Sequence, residues 1–412
     1  MERLTRDITM DILSRLSIRS LIQCTCVCKT WQNIISHPTL YFNQSSSSST
    51  TTPDLFFHCV YYEESGRSYV DRFQVSDFYF SEQQQDDDDD DDIPIIKPDK
   101  IVYAPFFINS SKYLNVLGSC NGFLCLSTLW NSPSNYFFPS DPIYVFNPIT
   151  GEHLELPNFE FQPDCRKIVK FMSGFGVDFL TQEYKLVILL FCKEISSCSD
   201  VCESGSVMNE MRVCNLRGLT WRKRMRNVPN VLVEASQVFS YVFVNGCLHW
   251  SVIDQNSRLQ IVSLHLGNEE FGDIETPDLD MLSGCRLKSD YFAIGVLDES
   301  LSLVDSSRAQ CVDVWLRKKN INGNEHWIKQ YSIQRELMDP YFSSSTVVQP
   351  LRYQKNAEIL LQGNNSLVAY NAESNTVKFL NVAIERADSL KAFPFVGKLI
   401  SVRVLCGQWT EQ

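Results

Sequence analysis

The chain has no long hydrophobic run. Its longest apolar stretches, such as residues 184–192, fall far short of the ~20 residues that cross a bilayer. Met1–Thr9 is polar and charged, without the apolar centre of a secretory signal. A membrane protein is therefore not expected, and a cytoplasmic or nuclear location is. Positive charge is also scarce, with 37 Lys and Arg against 49 Asp and Glu, a formal charge of -12. A duplex-binding protein would carry a basic footprint, so nucleic acid is not an expected partner. The six histidines include no pair at helical ligand spacing. Among the fifteen cysteines, Cys192, Cys198, Cys202 and Cys214 come nearest to a metal set. Only Cys198 and Cys202 have finger-like spacing, and no second close pair follows. No metal or other cofactor is expected, and the thiols should be reduced and mostly buried. A Gly-x-Ser-x-Gly elbow, a phosphate-binding loop and a dinucleotide fingerprint are all missing. An enzyme is not expected.

What is present divides the 412 residues into three regions. Residues 1–43 are helical, residues 44–52 form a Ser/Thr linker, and residues 53–412 read as a β domain. Residues 83–92 form an acidic insertion within it, because Asp54–Val60 and Tyr69–Phe80 around it alternate like strands. The charge is uneven. Residues 1–43 carry +2, residues 44–100 carry -10 and residues 101–412 only -4.

Leu4, Ile8, Ile12 and Leu16 recur every four residues and make one apolar helical stripe. Ser17 can cap a second helix through Leu21 and Ile22. Val27, Trp31, Ile34 and Ile35 lie on one face of a third, which Pro38 ends. Three short helices cannot bury that much apolar surface alone, so a partner should cover the surplus.

From residue 101 the theme is an apolar strand, a turn signal and another strand. Asn121-Gly122 and Asn245-Gly246, each between alternating apolar residues, are the strongest hairpin signals. Divided by the ~50 residues of a kelch-type blade, this region predicts a β-propeller of about six blades. A pair of β-sandwiches is the alternative.

The order Leu4-x-x-Asp7-Ile8, Ile12-Leu13-Ser14-Arg15-Leu16, Ser20-Leu21 and Val27-Cys28-Lys29-x-Trp31 resembles the F-box of plant F-box proteins. Thr5 and Ser17 stand where the family usually has Pro, and Cys24 where it has Phe. Gly118–Leu126, Phe146–Glu152, Phe175–Asp178, Asn245–Trp250 and Val312–Trp315 are similar, in family order, to the kelch-like F-box-associated domain. The resemblance implies the substrate receptor of an SCF-type ubiquitin ligase, a non-catalytic subunit. It would bind a Skp-type adaptor, and through it cullin and RING subunits. Leu4, Ile8, Ile12, Leu13, Leu16, Leu21, Val27, Trp31 and Ile34 would dock the adaptor, with Leu16 and Trp31 contributing most. The β domain would hold an unidentified target protein. The alternative is a propeller scaffold whose degenerate F-box recruits no ligase.

One charge cluster remains, formed by Arg217, Arg222, Lys223, Arg224 and Arg226 around Trp221. It reads as a solvated outer strand. Arg222, Lys223 and Arg224 are the candidate contacts for an acidic target.

Overall fold

A computed structural model describes residues 5–16, 18–37, 40, 54–64, 72–81, 95–96, 100–102, 113–129, 142–159, 166–194, 207–224, 228–235, 238–279, 291–338, 342, 346–354, 358–382 and 389–407. Leu4, Ser17, Pro38, the Ser/Thr linker, the acidic run, Cys198, Cys202 and Arg226 lie outside them. Three short helices open the chain: α1 (Arg6–Ser14), α2 (Ile18–Cys24) and α3 (Lys29–Ile35). Thr5 occupies the N-cap of α1 with extended backbone, but its side chain makes no cap bond. Thr9 Oγ1 instead donates to the Thr5 carbonyl.

The remainder is mainly β. The strands are β1 (Asp54–Glu64), β2 (Arg72–Ser81), β3 (Ile95–Ile96), β4 (Lys100–Val102), then β5 (Tyr113–Cys120), β6 (Phe123–Leu129), β7 (Ile143–Phe146) and β8 (His153–Leu156). Next come β9 (Arg166–Asp178), β10 (Glu183–Glu194), β11 (Met208–Asn215) and β12 (Thr220–Arg224). They are followed by β13 (Val238–Val244), β14 (Cys247–Ile253), β15 (Leu259–His265) and β16 (Glu270–Ile274). The last are β17 (Phe292–Leu297), β18 (Ser300–Asp305), β19 (Cys311–Lys319), β20 (Glu325–Gln334), β21 (Val348–Tyr353), β22 (Ile359–Gly363), β23 (Ser366–Asn371), β24 (Thr376–Val382) and β25 (Ser389–Phe395).

Five sheets are antiparallel meanders of four consecutive strands: β5–β8, β9–β12, β13–β16, β17–β20 and β21–β24. A sixth sheet is composite, in the order β25-β1-β2-β4, so the C-terminal strand pairs with N-terminal ones. The first strands β5, β9, β13, β17 and β21 lie against one another in turn, β21 meets β25, and β2 meets β5. The sheets thus close a ring, and the chain is a β-propeller rather than a pair of sandwiches. The regular meander blades number five, so the count differs slightly from the about six expected, and the composite sheet completes the ring. Following the insertion, β3 joins the outer edge of β24 in parallel.

The local chemistry explains the hairpins. Asn121 and Gly122 have φ of 48° and 83°, and Asn245 and Gly246 have 53° and 74°. Two successive positive φ values make the turn whose twist matches the flanking strands, and Asn-Gly reaches it with least strain. The pleat does the rest. Alternate residues of β10 and β11, such as Leu186, Ile188 and Leu190, pack between sheets with no exposure.

The helices do not stand apart from this ring. Leu13, Leu21, Ile34, Ile35 and Leu40 are buried in one cluster with Leu117, Phe123, Ile400, Val402 and Leu405. Ile18 packs with Phe56, Phe146 and Phe395. Much of the apolar surplus expected to await a partner is covered by the chain's own β domain.

Candidate functional site

Two surfaces carry the residues singled out by the sequence. On the helices, the predicted set splits by burial. Ile8 and Ile12 share one face of α1 and are 49% and 44% exposed, Ile22 is 45% and Val27 63%. Leu13, Leu21 and Ile34 point inward and are covered by the propeller, so they present almost no surface. Leu16 and Trp31 are half-buried against the same core. Of the expected four-residue stripe, Ile8 and Ile12 alone lie on α1 as described, because Leu4 is outside the described residues and Leu16 follows the helix and packs against the core. Leu13 turns to the buried side, and Ile8 and Ile12 stay open. Ile22, expected on the second helix beside Leu21, is not among the expected docking residues, yet it is the one of the pair left exposed.

The second surface is the hairpin β11–β12. Here the cations are not simply solvated. Arg222 Nη2 lies 2.9 Å from Glu269 Oε1, and Arg224 Nε lies 2.6 Å from Glu269 Oε2. Glu269 sits in the turn between β15 and β16 of the next blade, and its side chain is only 3% exposed. Lys185 of β10, equally sunk, lies 3.5 Å from both Glu269 and Asp178 and donates to the Leu266 carbonyl at 2.6 Å. Lys223 pairs with Glu210 at 2.5 Å, and Arg212 pairs with Glu210 from the same strand. Arg217 pairs with Glu183 at 3.3 Å. Arg217, Arg212 and Lys223 thus pair within their own blade, whereas Arg222 and Arg224 fasten it to the next blade over the buried Glu269 carboxylate. Their side chains remain about 40% exposed on the outer side, as screened ion pairs are. No sequence signal ties Glu269 to Arg222, because the pairing crosses 47 positions.

Burial sets the remaining electrostatics. Although desolvation works against ionisation of Asp178, the Leu180 N–H, the Thr181 hydroxyl and Lys185 outweigh it and hold its carboxyl below the usual range. His249 is pushed down to about 4 by burial, so it is neutral scaffold. Burial brings Lys170 to about 8; its ammonium donates to the Leu232 and Ala235 carbonyls at 2.6 and 2.7 Å, capping the short helix α4 (Asn230–Glu234). Cys192 and Cys214 lie in the apolar core, and burial pushes Cys214 up to about 12. Among the described residues no group of three His, Cys, Asp or Glu is placed to hold a metal ion.

Tryptophans repeat one interblade bond. Trp221 on β12 donates its indole N–H to the Pro157 carbonyl, one residue past β8, at 2.6 Å. Trp327 on β20 does the same to the Glu275 carbonyl, one residue past β16, at 2.6 Å.

Comparison with known proteins assigns this arrangement. The F-box associated beta propeller domain family matches residues 69–394, and an F-box-like family matches residues 5–46. The chain belongs to the F-box-associated β-propeller family. Among relatives of this F-box-associated propeller protein is an Arabidopsis thaliana F-box protein, At3g07870, 29% identical over 92% of this chain and 88% of its own. The Arabidopsis F-box/kelch-repeat protein At3g23880 is 22% identical over 88% of this chain and 86% of its own. Among solved structures, TolB from Acinetobacter baumannii covers 89% of this chain and 72% of its own at 10% identity and a TM-score of 0.39. A Trypanosoma rangeli sialidase covers 87% of this chain and 57% of its own at 9% identity and a TM-score of 0.40.

Proposed function

We propose that this F-box-associated propeller protein is the substrate-recognition subunit of an SCF-type ubiquitin ligase. The observation that carries the reading is the open apolar stripe. Ile8, Ile12, Ile22 and Val27 stay exposed on a module matched as F-box-like, while the neighbouring stripe is spent on the propeller. Covering such aliphatic side chains with a Skp-type adaptor would contribute about 1 kcal/mol or more each. The adaptor would connect the chain to cullin and RING subunits. The protein itself makes no bond to ubiquitin in this reading. It acts by proximity, raising the effective concentration of target lysines near the charged conjugating enzyme.

The helices sit on one face of the ring, the side where the β5–β6 and β7–β8 turns emerge, since Ile18 packs against Ile149 and Gly397. Within each meander the second and fourth strands run back to the opposite side. We assign target capture to that side, and a cytoplasmic or nuclear location to the protein.

The test is adaptor capture. The double variant Ile8→Asp/Ile12→Asp should lose a Skp-type adaptor in pull-down while keeping the thermal midpoint of the propeller. Undiminished capture would sink the docking surface. A wild-type chain that captures no adaptor would leave the scaffold reading instead. Leu16→Ala and Trp31→Ala are poorer probes, because both side chains also pack into the core.

A further inference from the structure

The segment after β25 joins the helices to the ring. Asn147, in the turn between β7 and β8, is fully buried. Its Nδ2 donates to the carbonyls of Lys398 and Ile400 at 2.9 and 2.8 Å. Its Oδ1 accepts from the Ile149 N–H at 2.9 Å and so holds the turn. Glu152 Oε2 accepts from the Val402 N–H at 3.0 Å. The segment then forms a short 3-10 helix (Val402–Cys406), capped by Ser401 Oγ and ended by Gly407 at φ 68°. Ile400, Val402 and Leu405 are buried, and they share one apolar cluster with Leu13, Leu21, Ile34 and Ile35 of the three helices. From the helical side, Ile18 closes on Gly397 and Ile149; a Cβ at Gly397 would stand 3.2 Å from both.

Three short helices cannot bury enough surface to hold themselves. Their inward stripe shares one apolar cluster with residues 400–405 and meets the segment at Gly397 through Ile18. The segment is fixed by side-chain bonds to blade residues rather than by strand pairing. We propose that residues 397–407, anchored by Asn147, are a positioning element that pre-organises the helical module on the propeller for adaptor docking. No residue of the element needs to touch the adaptor. It acts by keeping α1–α3 folded and correctly seated, so that docking does not have to supply the ordering. An adaptor meeting a module that is seated only part of the time binds more weakly by that fraction. The docking consequence rests on the ligase reading above; the seating itself does not.

Two variants test it from opposite sides. Asn147→Asp keeps the turn-holding acceptor and removes the two bonds to the tail. Ile18→Ala removes the helix-side contact and leaves Ile8, Ile12, Ile22 and Val27 untouched. The first measurement is amide hydrogen exchange of the full chain without adaptor. In both variants α1–α3 should exchange about tenfold faster or more, while β5–β24 keep their protection. The second is affinity for a purified Skp-type adaptor, which should fall about tenfold although no docking residue has changed. Ile18→Val keeps the contact and should restore both. Unchanged exchange of α1–α3 in both variants overturns the proposal, as does faster exchange with unaltered affinity. If the wild-type chain binds no adaptor, the ligase reading fails, and the exchange result alone decides the seating.

Discussion

Glu269→Gln is the sharpest single perturbation of the ring. It keeps the shape of the side chain and removes the charge that faces Arg222, Arg224 and Lys185. Breaking a buried ion pair by removing one partner costs ~3–5 kcal/mol when the other charge is left alone. Here the loss is smaller, because Lys185 keeps Asp178 at 3.5 Å and the Leu266 carbonyl at 2.6 Å. The two arginines are partly exposed and can turn to water. That leaves about 2–3 kcal/mol, mostly from the sunken lysine. With an unfolding entropy of ~2 cal/mol/K per residue over a ring of about 350 residues, the thermal midpoint should drop by about 3–4 °C. Circular dichroism or scanning fluorimetry reads it directly. Lys223→Gln is the control. Its cation is 40% exposed, so its loss should stay within about 1 kcal/mol. Lys185→Met combined with Glu269→Gln should cost less than the two separate changes added, since the Lys185–Glu269 attraction is then lost only once. An unchanged midpoint in Glu269→Gln, or strict additivity in the pair, would refute the clamp.

Two other expectations follow from the same packing. Trp221→Phe and Trp327→Phe each delete one indole donor bond between blades and keep an aromatic ring in place, so each should lower stability by about 1 kcal/mol in urea unfolding. No change in either variant would make the repeated bond incidental. His58 and His249 are both pushed down to about 4, by burial first, with Lys391 adding at His58 and Arg317 at His249. Unfolded histidine binds its proton near 6.5, so their neutral folded forms stabilise fully above that value. The contribution is lost as pH falls toward 4, at most about 3 kcal/mol for each. His249→Gln should flatten the decline of the urea midpoint across that window, and an equal slope would argue against it.

Local chemistry was legible in the sequence; long-range pairing was not. Asn121-Gly122 and Asn245-Gly246 specify their turns through backbone angles that few residues accept, so each hairpin turn could be placed from its two central residues. The helical period on α1 is equally local. What the period lacks is any statement of which stripe the ring covers. Leu13 and Ile12 are adjacent and both aliphatic, and only the apolar cluster that the fold assembles from helices and ring separates a buried residue from an exposed one. Likewise the run Arg222-Lys223-Arg224 looks like a free basic surface until the turn of the next blade brings Glu269 beneath it. Charge counts along a chain cannot register a counter-ion held on another sheet. Asn147 shows both limits at once. Its role in the turn is readable from Asn147-Pro148, but its grip on Lys398 and Ile400 spans about 250 positions.

The composite blade imposes an order of events on synthesis. β1 is made near the start of the chain, and its partner β25 leaves the ribosome about 330 residues later, roughly 20–70 s at ordinary elongation rates. Throughout that interval one side of β1 offers unsatisfied peptide groups to any passing strand. The nascent protein thus keeps an open strand edge until β25 emerges, and a message cut short before β25 would yield a chain with that side of β1 still unpaired.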